Sequence, residues 1–342
     1  MKYVSIENVE PGQYLGKTVY SSNGTVMLSA GVQLTVFMIN TLNRIGVTML
    51  YIQDPDFEDV EPEDILSEAT KQAVIQEMND AFSAIRSGKD WSTKKVNVSV
   101  DRILEDVMNG KETLVQLTDI RTADNAQYVH AVNVCLMATL IGVNLGLNQG
   151  QLKDLAIGAL LHDIGKVSGA DAARQQDTLK SHHTWSGFEI LKNKREFSLM
   201  VAHVALQHHE RIDGTGMPRS LSAEEIHLYA KIVAVANTYD NLVNVFNGAR
   251  MLPHEACEKM MAMSGTALDH QVLVEFTRII SVYPNGTAVK LSTKETGVVV
   301  RQHRGLPGRP VVRLVKESGR DFDVKEVDLA RHTTVFIDAV MA

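Results

Sequence analysis

Apolar positions along the chain change their period twice, and each change marks a different kind of structure. In the first fifty residues YLGKTVY and TVMLSAG flank Ser22-Asn23-Gly24, and Asn-Gly supplies the positive φ angles of a tight turn, so a β-hairpin is predicted. LTVFMINTLNRIG then carries apolar residues at helical spacing, with Gly46 placed to stop the helix, and VTMLYI follows as a strand. Residues 54–68, DPDFEDVEPEDILSE, break the pattern with eight acids, two prolines and no base. Such a stretch resists packing and reads as a solvated linker. From 63 to 285 the period is helical almost throughout, as in SEATKQAVIQEMNDAFSAI, QYVHAVNVCLMATLIGVNLGL and QLKDLAIGALLHDIG. After Tyr283-Pro284-Asn285-Gly286 it shortens again, and TAVKLS, TGVVVRQH, PVVRLV and TTVFID, set apart by Gly/Pro turns, predict a small antiparallel sheet or barrel. The expected fold is mainly α: a helical bundle core with a small N-terminal α+β module and a small C-terminal all-β module.

Composition narrows the partners. The 342 residues hold 34 Lys+Arg against 41 Asp+Glu, a net charge of −7, which argues against a protein that grips nucleic acid by bulk charge. From Gly286 onward 10 basic residues face 7 acidic ones, a mild excess read as a solvated sheet face. No apolar run is expected to reach the ~18 residues that cross a bilayer, so no membrane partner is expected. The N-terminus lacks the apolar core of a signal peptide. Cys135 and Cys257 stand far apart without a CxxC, which excludes a disulfide framework or cysteine zinc site and places the chain in a reducing cytoplasm.

The unusual count is histidine. Of 12, seven (His130, His162, His182, His183, His203, His208 and His209) fall within 80 residues. His162 and Asp163 are adjacent in Leu161-His162-Asp163-Ile164-Gly165-Lys166. An imidazole beside a carboxylate can ligate one metal, or two with the carboxylate bridging, and a lysine one turn on can reach a phosphate or leaving-group oxygen. His130, His183 and the pair His208-His209 lie on or near helical segments, so a bundle can converge them on one centre. Taken singly each is an ordinary core or surface residue, and His182, His203, His227, His254, His270, His303 and His332 are read that way.

His130 together with LHDIGK, HTWSG, HHERIDGTGMP and AKIVAVANTYDNL, running to residue 280, resembles the HD-GYP family, the metal-dependent cyclic di-GMP phosphodiesterases of the HD superfamily. The resemblance implies an HD-type helical catalytic domain over 121–285, preceded by an α+β module (1–53) and an acidic and helical connector (54–120), and followed by a β module (286–342). It implies two divalent ions, iron or manganese, held by His130, His162, Asp163, His183, His208 and His209, with Asp163 bridging. Lys166 would touch the scissile phosphate or protonate the leaving alkoxide, Arg211 would contact phosphate, and the loop Gly214, Gly216, Met217 and Pro218 would lie against the nucleotide. The product would be linear pGpG, GMP or both.

The sequence departs from the family at three places. Asn237 stands where the last metal ligand, an Asp, is expected, leaving a neutral amide oxygen, with Asp240 or water as substitutes. Met217 turns Gly-Tyr-Pro into Gly-Met-Pro, and the arginine expected after Leu242 is present only as the displaced Arg250. The acid used by some members for a third metal is Ala126 here, with Asp124 two residues further back on another helix face. Three readings are compatible with these residues: a two-metal cyclic di-GMP phosphodiesterase, a degenerate regulatory or ligand-binding module, and a hydrolase of another cyclic dinucleotide such as cyclic GMP-AMP. A homodimer or a signalling-protein partner is compatible with each.

Overall fold

Short strands and one helix build the N-terminal module. In the computed structural model, which describes residues 1–21, 25–60, 64–117, 120–168, 182–244, 251–318 and 321–341, with 168, 315–318 and 321–324 described by backbone alone, β1 (Lys2–Ser5) pairs antiparallel with β4 (Met49–Ile52). β2 (Val19–Tyr20) pairs with β3 (Val26–Leu28) as the hairpin reading expects, while its turn, Ser22-Asn23-Gly24, lies outside the described residues. Helix α1 (Val36–Arg44) begins where the Thr35 hydroxyl accepts from Met38 N–H, a cap that contributes about 1 kcal/mol. Leu15, Val19, Leu34, Leu42 and Leu50 form the core of this module.

The acidic stretch is not simply solvated. Phe57 and Val60 are buried against Val298, and the Asp59 carboxylate receives both Arg313 guanidinium nitrogens at 2.7 Å. Two apolar residues three apart, each flanked by acids, clip this segment to the C-terminal sheet, an arrangement that composition averaged over 54–68 conceals.

Helices α2 (Glu68–Arg86), α3 (Thr93–Gly110), α4 (Ala126–Asn144), α5 (Gln149–Leu161), α6 (His183–Lys192), α7 (Leu199–Gln207), α8 (Leu228–Val243), α9 (Pro253–Ala262) and α10 (His270–Ile279) make the central bundle. α4 packs against α2, α3, α5, α8 and α10, and every residue from Tyr128 to Gly142 is buried. This corrects the expectation about apolar runs: α4 is 19 residues long with a mean hydropathy of 1.5 over its best window, long and apolar enough to span a bilayer by composition, and 83% of that window is buried within the protein. Its apolarity serves the core, where each fully buried Leu or Ile contributes roughly 1.5–3 kcal/mol. Cys135 is part of this core, its thiol pushed up to about 12 by burial.

The C-terminal strands β5 (Ala288–Leu291), β6 (Thr296–Arg301), β7 (Val311–Ser318), β8 (Asp321–Asp328) and β9 (Ile337–Met341) form one antiparallel sheet in the order β8-β7-β6-β5-β9. β8, DFDVKEVD, escaped the sequence reading because charged residues occupy five of its eight positions. TTVFID is also shorter as a strand than expected, since Val335 N–H donates to His332 O in a turn before β9 begins. The module is joined to the rest through Tyr51 Oη, which donates to Asn285 O at 3.2 Å, and Tyr3 N–H, which donates to Gly286 O at 3.1 Å.

Candidate metal centre

Local sequence delivers each histidine to one place. Asn148 and Gln151 form a reciprocal capping box, Asn148 Oδ1 accepting from Gln151 N–H at 3.0 Å and Gln151 Oε1 from Asn148 N–H at 2.9 Å, and this fixes the start of α5. The far end of α5 carries His162 and Asp163 into a 3₁₀ segment, Ile164–Ser168. That segment lies so close to α6 that a Cβ on Gly165 would stand 1.9 Å from His183 O and 2.6 Å from Gly187 N. Only glycine allows the approach, which sets the first turn of α6 beside Asp163. His182 caps α6 by accepting from Thr184 N–H, and its ring lies 4.3 Å from that of His183. α7 runs directly into His208 and His209, and α4 contributes His130 from the opposite side.

The imidazoles converge on the two oxygens of one carboxylate. Asp163 Oδ2 lies 3.6 Å from His130 Nε2 and 3.5 Å from His162 Nε2, while Oδ1 lies 3.3 Å from His183 Nε2 and 3.6 Å from His208 Nε2. The His209 ring is 4.2 Å from that of His208 and 5.1 Å from that of His183. Two donor groups result, one of His130, His162 and Asp163, the other of Asp163, His183, His208 and His209, and within each group the donor atoms lie within 4.8 Å of one another.

The outer nitrogens are already committed. His162 Nδ1 donates to Ala159 O at 2.7 Å, His208 Nδ1 to Ala205 O at 2.9 Å, and His130 Nδ1 to Asp240 Oδ2 at 2.6 Å, which leaves the Nε2 lone pairs turned inward. Burial lowers His162 to about 3 and His209 to about 2, and lowers His208 as well. Burial also opposes the Asp163 charge, yet the surrounding imidazoles of His162, His183 and His208 and the Lys166 charge outweigh it and hold the carboxyl well below its ordinary range. At neutral pH His162, His208 and His209 are therefore neutral imidazoles beside one anion, and with His130 and His183 they make a donor set suited to divalent transition metals. Asp163 Oδ1 and His208 Nε2 are buried without a hydrogen-bond partner among the described residues. Leaving such a group unsatisfied costs about 1–3 kcal/mol, so the residues fit a cation.

Other expected site residues are distributed less simply. A cleft of about 290 Å³ opens beside His130 and Asp163, lined by Arg121, Gln127, Lys166, Asn241 and Asn244. Lys166 Nζ donates to Asp163 Oδ2 at 2.5 Å from an exposed position. Gly214, Gly216, Met217 and Pro218 do not line this cleft; their loop is anchored by Met217 N–H, which donates to His209 O at 3.0 Å. A Cβ on Gly216 would meet Arg211 N at 2.2 Å, so the loop folds tightly over the HHE turn. Arg211 is engaged within that loop, with Thr215 Oγ1 at 2.8 Å and Asp213 Oδ2 at 3.2 Å. Asn237 Oδ1 accepts from Asn241 Nδ2 at 2.8 Å. α4 begins at Ala126, so Asp124 precedes the helix rather than occupying another of its faces, and it accepts from the Thr122 hydroxyl. Arg250 lies outside the described residues.

The tasks of three supporting residues escaped the sequence reading. Fully buried Asp240 accepts from His130, from Arg121 Nη2 at 2.5 Å, from Asn244 Nδ2 at 3.1 Å and from Asn133 Nδ2 at 3.2 Å. Burial opposes its charge, but Arg121 and His130 prevail and its pKa is lowered. It is thus an orienting partner of His130 rather than a substitute ligand. Arg121 carried no spacing signal, because it reaches Asp240 across 119 residues. Glu210, buried in the HHE triplet, accepts from Arg219 N–H at 2.8 Å and Leu221 N–H at 3.1 Å and so pins the loop after Pro218. Its place beside two histidines was visible, but its task was not.

Residues 112–272 match the family described as HD domain, and residues 288–342 match that described as KOW domain associated with HD domain. The chain is 31% identical over 260 residues to "Cyclic di-GMP phosphodiesterase PA4108" of Pseudomonas aeruginosa, a match covering 72% of this chain and 60% of that protein. It is 30% identical over 179 residues to a "Cyclic di-GMP phosphodiesterase" of Thermotoga maritima, covering 49% of this chain and 48% of that protein. It is 26% identical over 165 residues to "3'3'-cGAMP-specific phosphodiesterase 3" of Vibrio cholerae, covering 46% of this chain and 36% of that protein. The chain thus spans less than two thirds of the length of these curated relatives. Among solved structures, Bd1817, an HDG"Y"P protein from Bdellovibrio bacteriovorus, is 19% identical with a TM-score of 0.48, over 80% of this chain and 97% of that one.

Proposed function

Since this chain belongs to the HD-GYP family of HD-domain proteins, we propose that it hydrolyses cyclic di-GMP at two divalent metal ions held on either side of Asp163. The observation that carries this reading is the division of labour at that carboxylate, Oδ2 toward His130 and His162, Oδ1 toward His183 and His208. His130, His162 and Asp163 would hold one ion, and Asp163, His183, His208 and His209 the other, the imidazoles suiting iron and the shared carboxylate manganese. The printed names of the Pseudomonas and Thermotoga relatives support cyclic di-GMP as substrate. When bound, such ions act as Lewis acids that lower the pKa of water and offset phosphate charge.

The chain's own residues do the rest. Neutral imidazoles and one carboxylate leave the ions' charge largely uncompensated, which is how a chain of net charge −7 draws an anionic phosphodiester into the cleft. Lys166, exposed at the cleft and bonded to Asp163, is placed to meet a phosphate oxygen or give its proton to the leaving alkoxide. Asp240 and Arg121 hold the His130 ring in register, and Asn241 and Asn244 offer amides to the bases. The loop of Gly214 to Pro218, outside the cleft lining and with its C-terminal end pinned by Glu210, would meet only the part of the nucleotide that extends past the cleft on the His209 side. Unpaired Cys135 and Cys257 suit the reducing cytoplasm.

The test is metal analysis of protein produced with iron or with manganese, followed by chromatography of products from cyclic di-GMP and from cyclic GMP-AMP. Linear pGpG or GMP from cyclic di-GMP is expected. Binding of the dinucleotide without turnover under any metal would instead assign the chain to the degenerate, ligand-binding class, and faster turnover of cyclic GMP-AMP would change the substrate.

A further inference from the structure

A second cavity lies away from the metal centre, where the N-terminal module, the helical core and the C-terminal sheet meet. It encloses about 110 Å³. Tyr3 comes to it from β1, Tyr239 from α8, His254 from α9, Tyr283 and Thr287 from the segment leading into the sheet, and Met341 from β9. The His254 and Tyr283 rings stack with centroids 5.4 Å apart at 27°. No Asp, Glu, Lys or Arg lines the cavity among the described residues. Two polar atoms of its walls, His254 Nδ1 and Thr287 Oγ1, are buried with no hydrogen-bond partner among the described residues, and Thr287 is only 8% exposed.

An apolar, aromatic chamber with a few polar atoms awaiting partners has the profile of a small-molecule site. Its chemistry restricts the ligand. A lining without Lys or Arg rejects a second cyclic dinucleotide, whose phosphates would be stripped of water without a lysine or arginine to meet them. The volume limits the guest to a single ring, since an apolar cavity of roughly 150 Å³ takes up benzene. We propose that this cavity binds a small, uncharged, single-ring aromatic molecule bearing one hydroxyl, its ring against Tyr239, Tyr283 and His254 and its hydroxyl on His254 Nδ1 and Thr287 Oγ1. Tyr239 immediately precedes Asp240 on α8, so an occupant touches the helix that orients His130. Occupancy itself is independent of what the metal centre does.

Fluorine NMR of 4-fluorophenol titrated with the full chain reads binding directly. Saturable line broadening is expected, with 4-fluorobenzoate, the charged analogue, left sharp. Met341→Trp, at a position 49% exposed and therefore tolerant of a larger side chain, adds bulk to the cavity wall and is expected to weaken binding by about tenfold or more. Thr287→Val, nearly isosteric, removes the hydroxyl and is expected to weaken it by about fivefold. The proposal is overturned if broadening does not saturate, if benzoate and phenol bind alike, or if either variant, melting like the parent, binds 4-fluorophenol as the parent does.

Discussion

Asp240→Asn separates charge from shape at the position that holds His130. The carboxylate is fully buried and carries four hydrogen bonds, from His130, Arg121, Asn133 and Asn244. Asparagine keeps the volume and one acceptor but leaves the Arg121 guanidinium, whose side chain is 13% exposed, without its anion. Removing one member of a buried ion pair costs about 3–5 kcal/mol, and the retained acceptor puts the expected loss near ~3 kcal/mol, a melting shift of roughly 6–12 °C for a domain of this size. The second effect falls on the metal. A substitution behind a ligating histidine typically weakens metal binding 10–100-fold, about 1.4–2.7 kcal/mol. Chelator competition with Mn²⁺ measures it, and a cycle with Arg121→Met tests the route: if Arg121 acts only through Asp240, the double variant binds metal no worse than Asp240→Asn alone. Metal affinity within twofold of the parent in Asp240→Asn would refute the orienting role.

Four further substitutions probe other parts of the site. Gly165→Ala forces the 3₁₀ segment off α6 and should destabilise the protein by about 1–3 kcal/mol, with His183 displaced and metal content reduced, read by melting and elemental analysis. Lys166→Met should lower kcat by roughly 100-fold or more with metal content unchanged, separating its task from ligation. Glu210→Gln should lose about 1.5 kcal/mol of charge-assisted bonding, seen as faster hydrogen exchange at the Arg219 and Leu221 amides and a raised KM. Asn237→Asp adds an anionic oxygen beyond the one engaged by Asn241 and should raise the number of ions retained per chain; an unchanged count would remove Asn237 from the ligand set.

Helices and most strands were legible because their periods are strong, and the histidine motifs because adjacent residues carry their own chemistry. Residue types alone could suggest that Asp163 serves two ions, but not which imidazoles face which oxygen, since that depends on how tightly Gly165 lets two elements approach. β8 was hidden by its charges, and the Phe57–Val60 clip by the acids around it. Arg121, and the pairing that gives Asp240 its task, were opaque for a different reason: buried ion pairs join residues far apart in sequence, and nothing local announces the partner. Local pattern is readable from one strand of text, whereas charge compensation in a core is a property of the folded whole.

One shared carboxylate would also govern the order of loading. If each donor group had its own anion, two cations would enter independently; with Asp163 common to both, a second ion would meet a carboxylate already neutralised by the first and would feel the first ion's charge. Stepwise occupancy would result, with two macroscopic constants set apart rather than one. In the proposed reaction, the anion that would relieve this repulsion is the phosphodiester itself. By thermodynamic reciprocity, whatever affinity the substrate gained from a second ion, that ion would gain from the substrate, so such a centre would complete itself most readily when there is something to cleave.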